Sequence, residues 1–119
     1  MDTNTRIRIR RTIKRIIEML VEGDYRGVEA MTNGIRLRAD YIESGVVDYG
    51  KRLIYPPPEA YDKIDVVNVA GKSPPQYSIR FRLFTEEEGH SDLELQATLL
   101  DTNPGADDMR VEVDNILVP

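Results

Sequence analysis

The segment Glu86-Glu87-Glu88-Gly89-His90-Ser91-Asp92 places four carboxylates beside the chain's one imidazole. Glu88, His90 and Asp92 alternate, a spacing that could offer three ligands to a divalent cation. A catalytic zinc needs three well-placed ligands with supporting hydrogen bonds, and a flexible hairpin tip supplies neither. The segment reads instead as a solvated acidic turn, and no metal is expected. Asp101-Thr102-Asn103-Pro104-Gly105 superficially opens a calcium loop, with Glu112 at its twelfth position. Its glycine comes one place early, Pro104 stiffens the turn, and strands rather than helices flank it, so calcium is rejected.

A second concentration is basic. Arg6, Arg8, Arg10, Arg11, Lys14 and Arg15 hold six of the 16 bases. Residues 16–119 then carry a net charge of −10, from ten bases and 20 acids. Such a cluster can contact phosphates or anionic lipid, or lie against an acidic surface of its own chain or of a partner. No aromatic residues are interleaved for base stacking, and the acidic body repels nucleic acid, so RNA or DNA is not the expected partner. No glycine-rich phosphate loop is present: Gly23, Gly27 and Gly34 are spaced as caps and turns.

These groups sit on a chain of 119 residues with 40% apolar and 31% charged residues, the proportions of a globular domain. The absence of cysteine excludes disulfides, thiol nucleophiles, iron–sulfur clusters and Cys-ligated zinc. One histidine leaves little room for His-based metal sites or a Ser–His triad. No apolar run is long enough to span a membrane, and the start lacks the apolar core of a signal peptide. The expectation is a single cytoplasmic domain over 1–119, frayed at 1–5, with no cofactor.

The elements that must position these groups follow from periodicity. Ile9, Ile13, Ile16, Ile17 and Leu20 recur at helical spacing, with Asn4 or Thr5 as a cap and Gly23 as the stop. Asp24 caps a short helix over 25–31, and Thr32-Asn33-Gly34 ends it. Residues 35–37 alternate and predict a very short strand. A third helix is predicted over 39–49, weakened at Gly45 by about 1 kcal/mol relative to Ala. Pro56-Pro57-Pro58 reads as a rigid connection. Four strands are predicted over 64–70, 77–85, 92–101 and 110–118. Turn residues separate them, and the short connections make an antiparallel meander.

Alternation defines two faces. Ile79, Phe81 and Leu83 oppose Ser78, Arg80 and Arg82. Leu93, Leu95, Ala97 and Leu99 oppose Glu94, Gln96 and Thr98, and Val111 and Val113 oppose Glu112 and Asp114. The apolar face must be covered, and the three N-terminal helices are the available cover. Phe84, Leu100, Ile116 and Val118 break the alternation and add apolar area to the polar face, which marks that face as a contact surface.

The phrases VEGDYRGVEAMTNGIRL (21–37), DYGKRLIYPPPEAYD (48–62) and FTEEEGHSDLEL (84–95), in this order of elements, resemble the nuclear-transport-factor-2-like superfamily and small bacterial proteins of that fold. The resemblance covers most of the chain after Arg11. It implies an α+β domain in which three N-terminal helices cover one face of a curved antiparallel sheet of four to five strands, forming a cone. That superfamily includes isomerases, dehydratases, ligand binders, assembly adaptors and toxin-immunity proteins, so fold alone does not choose the function. Its enzymes imply a cone-mouth pocket with an Asp or His base and a Tyr or Asp oxyanion donor. Residues of matching type are Asp40, Tyr41, Tyr49, Tyr55, Tyr61 and Asp114, but none lies in a motif that aligns with such a dyad.

The reading adopted is a non-catalytic protein-binding domain of immunity or adaptor type, docking an acidic surface onto a basic partner. Arg80, Arg82, Phe84, Glu94, Gln96 and Glu112 on the polar sheet face form the expected contact surface, with residues 86–92 as second choice. The alternatives are a small-molecule binder or isomerase/dehydratase with a pocket at Asp40, Tyr41, Tyr49 and Tyr55, and a homodimer joined through the same apolar islands.

Overall fold

The computed structural model describes all 119 residues, Met1–Pro119. Helix α1 runs over Thr3–Val21, α2 over Tyr25–Met31 and α3 over Ala39–Val47. A 3-10 helix at Pro58–Lys63 follows, then strands β1 (Asp65–Val69), β2 (Gln76–Thr85), β3 (Gly89–Leu100) and β4 (Arg110–Leu117). The sheet is an antiparallel meander in the order β1-β2-β3-β4, open at both edges. The helices pack on one of its faces, giving an α+β architecture with a four-stranded sheet. No helix is long and apolar enough to cross a membrane.

Ile9, Ile13, Ile16, Ile17 and Leu20 of α1 are all buried, in one cluster with Ile79, Leu83, Leu95, Leu99 and Val113 of the sheet. Full burial of each such side chain is worth about 1.5–3 kcal/mol, so this face supplies most of the force that holds the helix on the sheet. The cap of α1 is Asp2 and not Asn4 or Thr5: its carboxylate accepts from the Thr5 amide at 2.7 Å, and the helix starts at Thr3. Asp24 caps α2 as expected, accepting from Gly27 at 2.9 Å.

Four local readings need correction. Residues 35–37 are not a strand: Arg36 is left-handed at φ 72°, and the Leu37 amide donates back to the Ile35 carbonyl at 3.0 Å. The third helix stops at Val47, two residues earlier than periodicity implies. Pro58 begins a 3-10 helix, because proline at a first helical position loses no needed N–H. Gly45 is more than a weak spot in α3. A Cβ there would lie 2.9 Å from the Ile116 carbonyl oxygen, so the missing side chain is what lets α3 sit directly on β4.

Two irregularities reshape the sheet. On β4, Val113 faces Ala97 but Asn115 faces Gln96, which leaves Asp114 as the extra residue of a bulge. The bulge reverses the alternation beyond it, so Ile116 turns inward opposite Leu95 and is buried under α3. Ile116 is therefore not an apolar island on the polar face. At the other end, Arg82 faces Glu94 and Phe84 faces His90, so β3 uses three residues where β2 uses one.

Candidate binding surface

The polar face of the sheet is a connected set of charged and amide groups. The Arg80 guanidinium donates to Glu94 at 2.6 and 3.4 Å, Gln96 donates to Glu94 at 3.0 Å, and Asn115 donates to Gln96 at 3.2 Å. These contacts cover Glu94, which is only 6% exposed although it lies on the solvent side of the sheet. Its burial acts to raise its pKa, but the Arg80 and Gln96 hydrogen bonds and the charges of Arg80 and Arg82 outweigh that and hold it below the ordinary value. Arg82 pairs with Asp92 at 3.1 Å in solvent. An exposed pair of this kind contributes only about 0–1 kcal/mol and exchanges readily for a ligand. Further along, Arg36 reaches Glu112 at 3.3 Å and Asp114 at 3.1 Å, and Thr98 donates to the other oxygen of Asp114 at 2.7 Å.

Beside this network lies an open cleft of about 610 Å³. It exists because β1 stops pairing with β2 at Asp65–Arg80, and the flanking chain returns to β2 only at Leu53–Thr85. Between those points the proline-rich segment stands off from the strand. Pro57, Ala60 and Lys63 form one wall, and Arg80, Arg82 and Glu94 the other. At one end the rings of Phe84 and His90 are stacked at 4.7 Å and 8°, as a cross-strand pair. Of the six expected contact residues, Arg80, Arg82, Phe84 and Glu94 line this cleft together, while Gln96 and Glu112 lie outside it.

Tyr41 and Tyr49 line one depression beside α3, but Asp40 and Tyr55 do not join them. Asp40 faces a groove between α2 and α3, with Arg26 and Arg38. Tyr41 is 68% exposed on α3. Tyr49 donates to Glu88 at 2.8 Å, and Tyr55 donates to Glu22 at 2.6 Å, which raises the Tyr55 pKa. Tyr61 is buried and stacked on Phe81 at 5.6 Å, and burial pushes its phenol up to about 12. The helix-covered side of the sheet, where a cone-mouth pocket was expected, is occupied by side chains such as Ile13, Ile16, Leu95 and Ala97, all at 0% exposure.

The acidic hairpin is a junction and not a free turn. The Ser91 hydroxyl lies 2.7 Å from Glu88 and 3.0 Å from the Tyr49 oxygen, and Thr85 donates to Glu88 at 3.0 Å. The Ser91 hydrogen bond is the main reason Glu88 is held below the ordinary carboxylate pKa, with Tyr49 and Thr85 adding to it. Glu87 accepts from the Arg52 amide at 3.0 Å. Glu88, His90 and Asp92 thus serve three separate partners: the Tyr49–Ser91 cluster, Phe84 and Arg82.

The basic stretch of α1 is turned against its own chain. Arg8 is 4% exposed and donates to Asp101 at 2.9 Å, to the Ala106 carbonyl at 2.8 Å and to the Asn103 carbonyl at 2.8 Å. Arg15 pairs with Asp108 at 2.8 Å, Arg11 with Asp107 at 3.5 Å, and Arg10 with Asp62. Buried Thr12 completes the clamp by accepting from the Met109 amide at 3.0 Å. Sequence reasoning missed Arg8 as an organiser of the β3–β4 loop, although the facing runs RIRIRR and DTNPGADD carried the complementary charges.

A family profile described as "Domain of unknown function (DUF7668)" matches residues 17–119. The chain belongs to that family. The DUF7668 match takes in the last turn of α1 and every later element, and the Arg8 clamp enters it only through the loop side. No curated protein matches the chain, and no solved structure does.

Proposed function

We propose that this chain is a non-catalytic protein-binding domain, of immunity or adaptor type, that docks an acidic surface onto a basic partner. The observation that carries the reading is the distribution of charge after internal pairing. Nine acids and eight bases sit in ion pairs, and α1 satisfies four of its arginines within the molecule. Twelve of the 21 acids remain outside such pairs, against eight of the 16 bases. The field that a partner meets is negative, although weaker than the −10 of residues 16–119 implies. Such a field speeds association with a cationic protein and is screened by salt. Kinship with the nuclear-transport-factor-2-like superfamily is part of the proposal, supported by the helical layer on one sheet face and by the two irregularities that bend the strands. The test is affinity capture of the tagged chain from its source cells, in low and high salt, with intact-mass analysis of the eluate. A stoichiometric basic protein released by salt supports the reading.

A second reading rests on the cleft at Arg82, Phe84 and His90. Its volume falls in the range of small-molecule sites, and the stacked rings with an exchangeable guanidinium suit a planar anion. A metabolite in the same eluate, with no protein partner, favours it.

A further inference from the structure

The polar sheet face is largely neutralised by its own ion pairs, so the surface suited to a basic partner lies elsewhere. The outer face of α3 presents Asp40, Tyr41, Glu43, Ser44, Val47 and Asp48, all exposed. None of its three acids takes part in an ion pair or a side-chain hydrogen bond, and the helix carries no base. Tyr41 and Val47 are 68% and 58% exposed, large apolar groups left in water on a surface helix. Val47 stands on the far side of the helix ridge. Beside Tyr41 is a depression of about 440 Å³ between α3 and the end of β4, lined by Leu37, Tyr41, Asp48, Ile116, Leu117 and Val118. Gly45 forms part of it, at the point where α3 meets Ile116. Tyr41 and Asp48 therefore share the rim of this depression, while Asp40 and Glu43 border the α2–α3 groove on the other flank of α3, where Arg26 and Arg38 also lie.

We infer that this α3–β4 face is the docking site for a basic amphipathic segment of a partner protein, whose apolar side chains enter the depression while its Lys or Arg residues meet Asp40, Glu43 and Asp48. The inference rests on the protein-binding reading and adds the location and the chemistry of the partner. Apolar anchors supply the affinity of such interfaces, and opposite charge selects the partner and its orientation. An acidic or neutral segment would leave Asp48 without counter-charge at the depression, which is lined by no base.

The test is an amide NMR titration of the full chain with a synthetic leucine–lysine peptide whose leucines fall at helical spacing. A leucine–glutamate peptide of the same spacing and a scrambled leucine–lysine peptide serve as controls. The expected result is a set of shifts confined to α3, Leu37 and the end of β4 with the first peptide alone. Tyr41→Ser combined with Val47→Ser should weaken binding about tenfold or more with an unchanged circular dichroism spectrum. Asp40→Lys with Asp48→Lys, on exposed positions that do not pack, should give a similar loss. Shifts centred on Arg82, Phe84 and His90 overturn the location and leave the protein-binding reading standing. Equal binding of all three peptides, or of none, overturns the partner chemistry. Concentration-dependent shifts on this face without peptide identify a second copy of the chain as the occupant and overturn the inference.

Discussion

Arg8 and Asp101 meet at 2.9 Å across 93 residues of sequence, with the guanidinium 4% exposed and its remaining donors on the carbonyls of Asn103 and Ala106. The planar fork spreads its donors over Nε for Ala106 and Nη2 for Asp101 and Asn103, a span that the three donors on the single nitrogen of an ammonium do not match. This contact fixes the β3–β4 loop against α1 and buries Arg8, while Arg10, Arg11 and Arg15 stay exposed and are paired there with Asp62, Asp107 and Asp108.

Replacing Arg8 by Met leaves Asp101 and two carbonyls without their donor inside the protein. The expected loss is about 3–5 kcal/mol, the range for breaking one partner of a buried pair. Arg8→Lys should recover only part of it. Urea unfolding of the two variants measures both, and a lysine variant as stable as the parent contradicts the role given to the fork.

Gly45→Ala tests the approach of α3 to β4. Helix propensity alone predicts a gain of about 1 kcal/mol, whereas a Cβ at 2.9 Å from the Ile116 oxygen forces the helix away. Overpacking of this kind costs about 1–3 kcal/mol, so the net expectation is a loss. A thermal midpoint higher than the parent's shows that α3 has room to move.

Glu94 and Glu88 both have pKa values below the ordinary 4.5 in the folded chain. Between the lowered folded value and the unfolded one, the unfolded chain binds more protons. Their contribution is therefore complete above the unfolded value and is lost as pH falls through the folded one. The urea midpoint should drop on going from about pH 6 to about pH 3, and Glu94→Gln should make the drop shallower. An unchanged slope in that variant removes Glu94 from the account.

The cleft has its own signature. Phe84→Ala and His90→Ala break a stacked pair, His90 exposed and Phe84 half-buried, whose worth is about 0.5–1.5 kcal/mol beyond area. His90→Ala should lower stability by no more than about that amount, and Phe84→Ala by more, since the Phe84 ring also packs against the main core. A cooperative collapse of the β2–β3 hairpin in either variant, seen in amide exchange, assigns the stack a structural role instead.

The meander and the inward set of β2 and β3 were legible because alternation with period 2 is a local signal, and the inward residues of α1 because Ile13, Ile16, Ile17 and Leu20 follow the helical period. The Asp24 cap was legible for the same reason. What local pattern could not show is the Asp114 bulge: the extra residue is defined by its pairing with β3, so Ile116 read as outward when it is core. The clamp of α1 on the β3–β4 loop depends on which of many charges meet across the fold, as does the convergence of Arg80, Arg82, Phe84 and Glu94 without Gln96 and Glu112. Asp40 and Tyr55 mark the opposite failure: of the four residues of suitable type, only Tyr41 and Tyr49 share a depression.

The central claim is that the chain meets a basic protein through its unpaired acids. Its most direct test is the association rate with the captured partner, measured by stopped flow at ionic strengths of about 0.01 M and about 0.15 M, where the screening length falls from about 30 Å to about 8 Å. The rate is expected to fall about tenfold or more across that range, with a smaller fall for Asp40→Lys combined with Asp48→Lys. A rate that does not change with salt, or that rises, contradicts the claim.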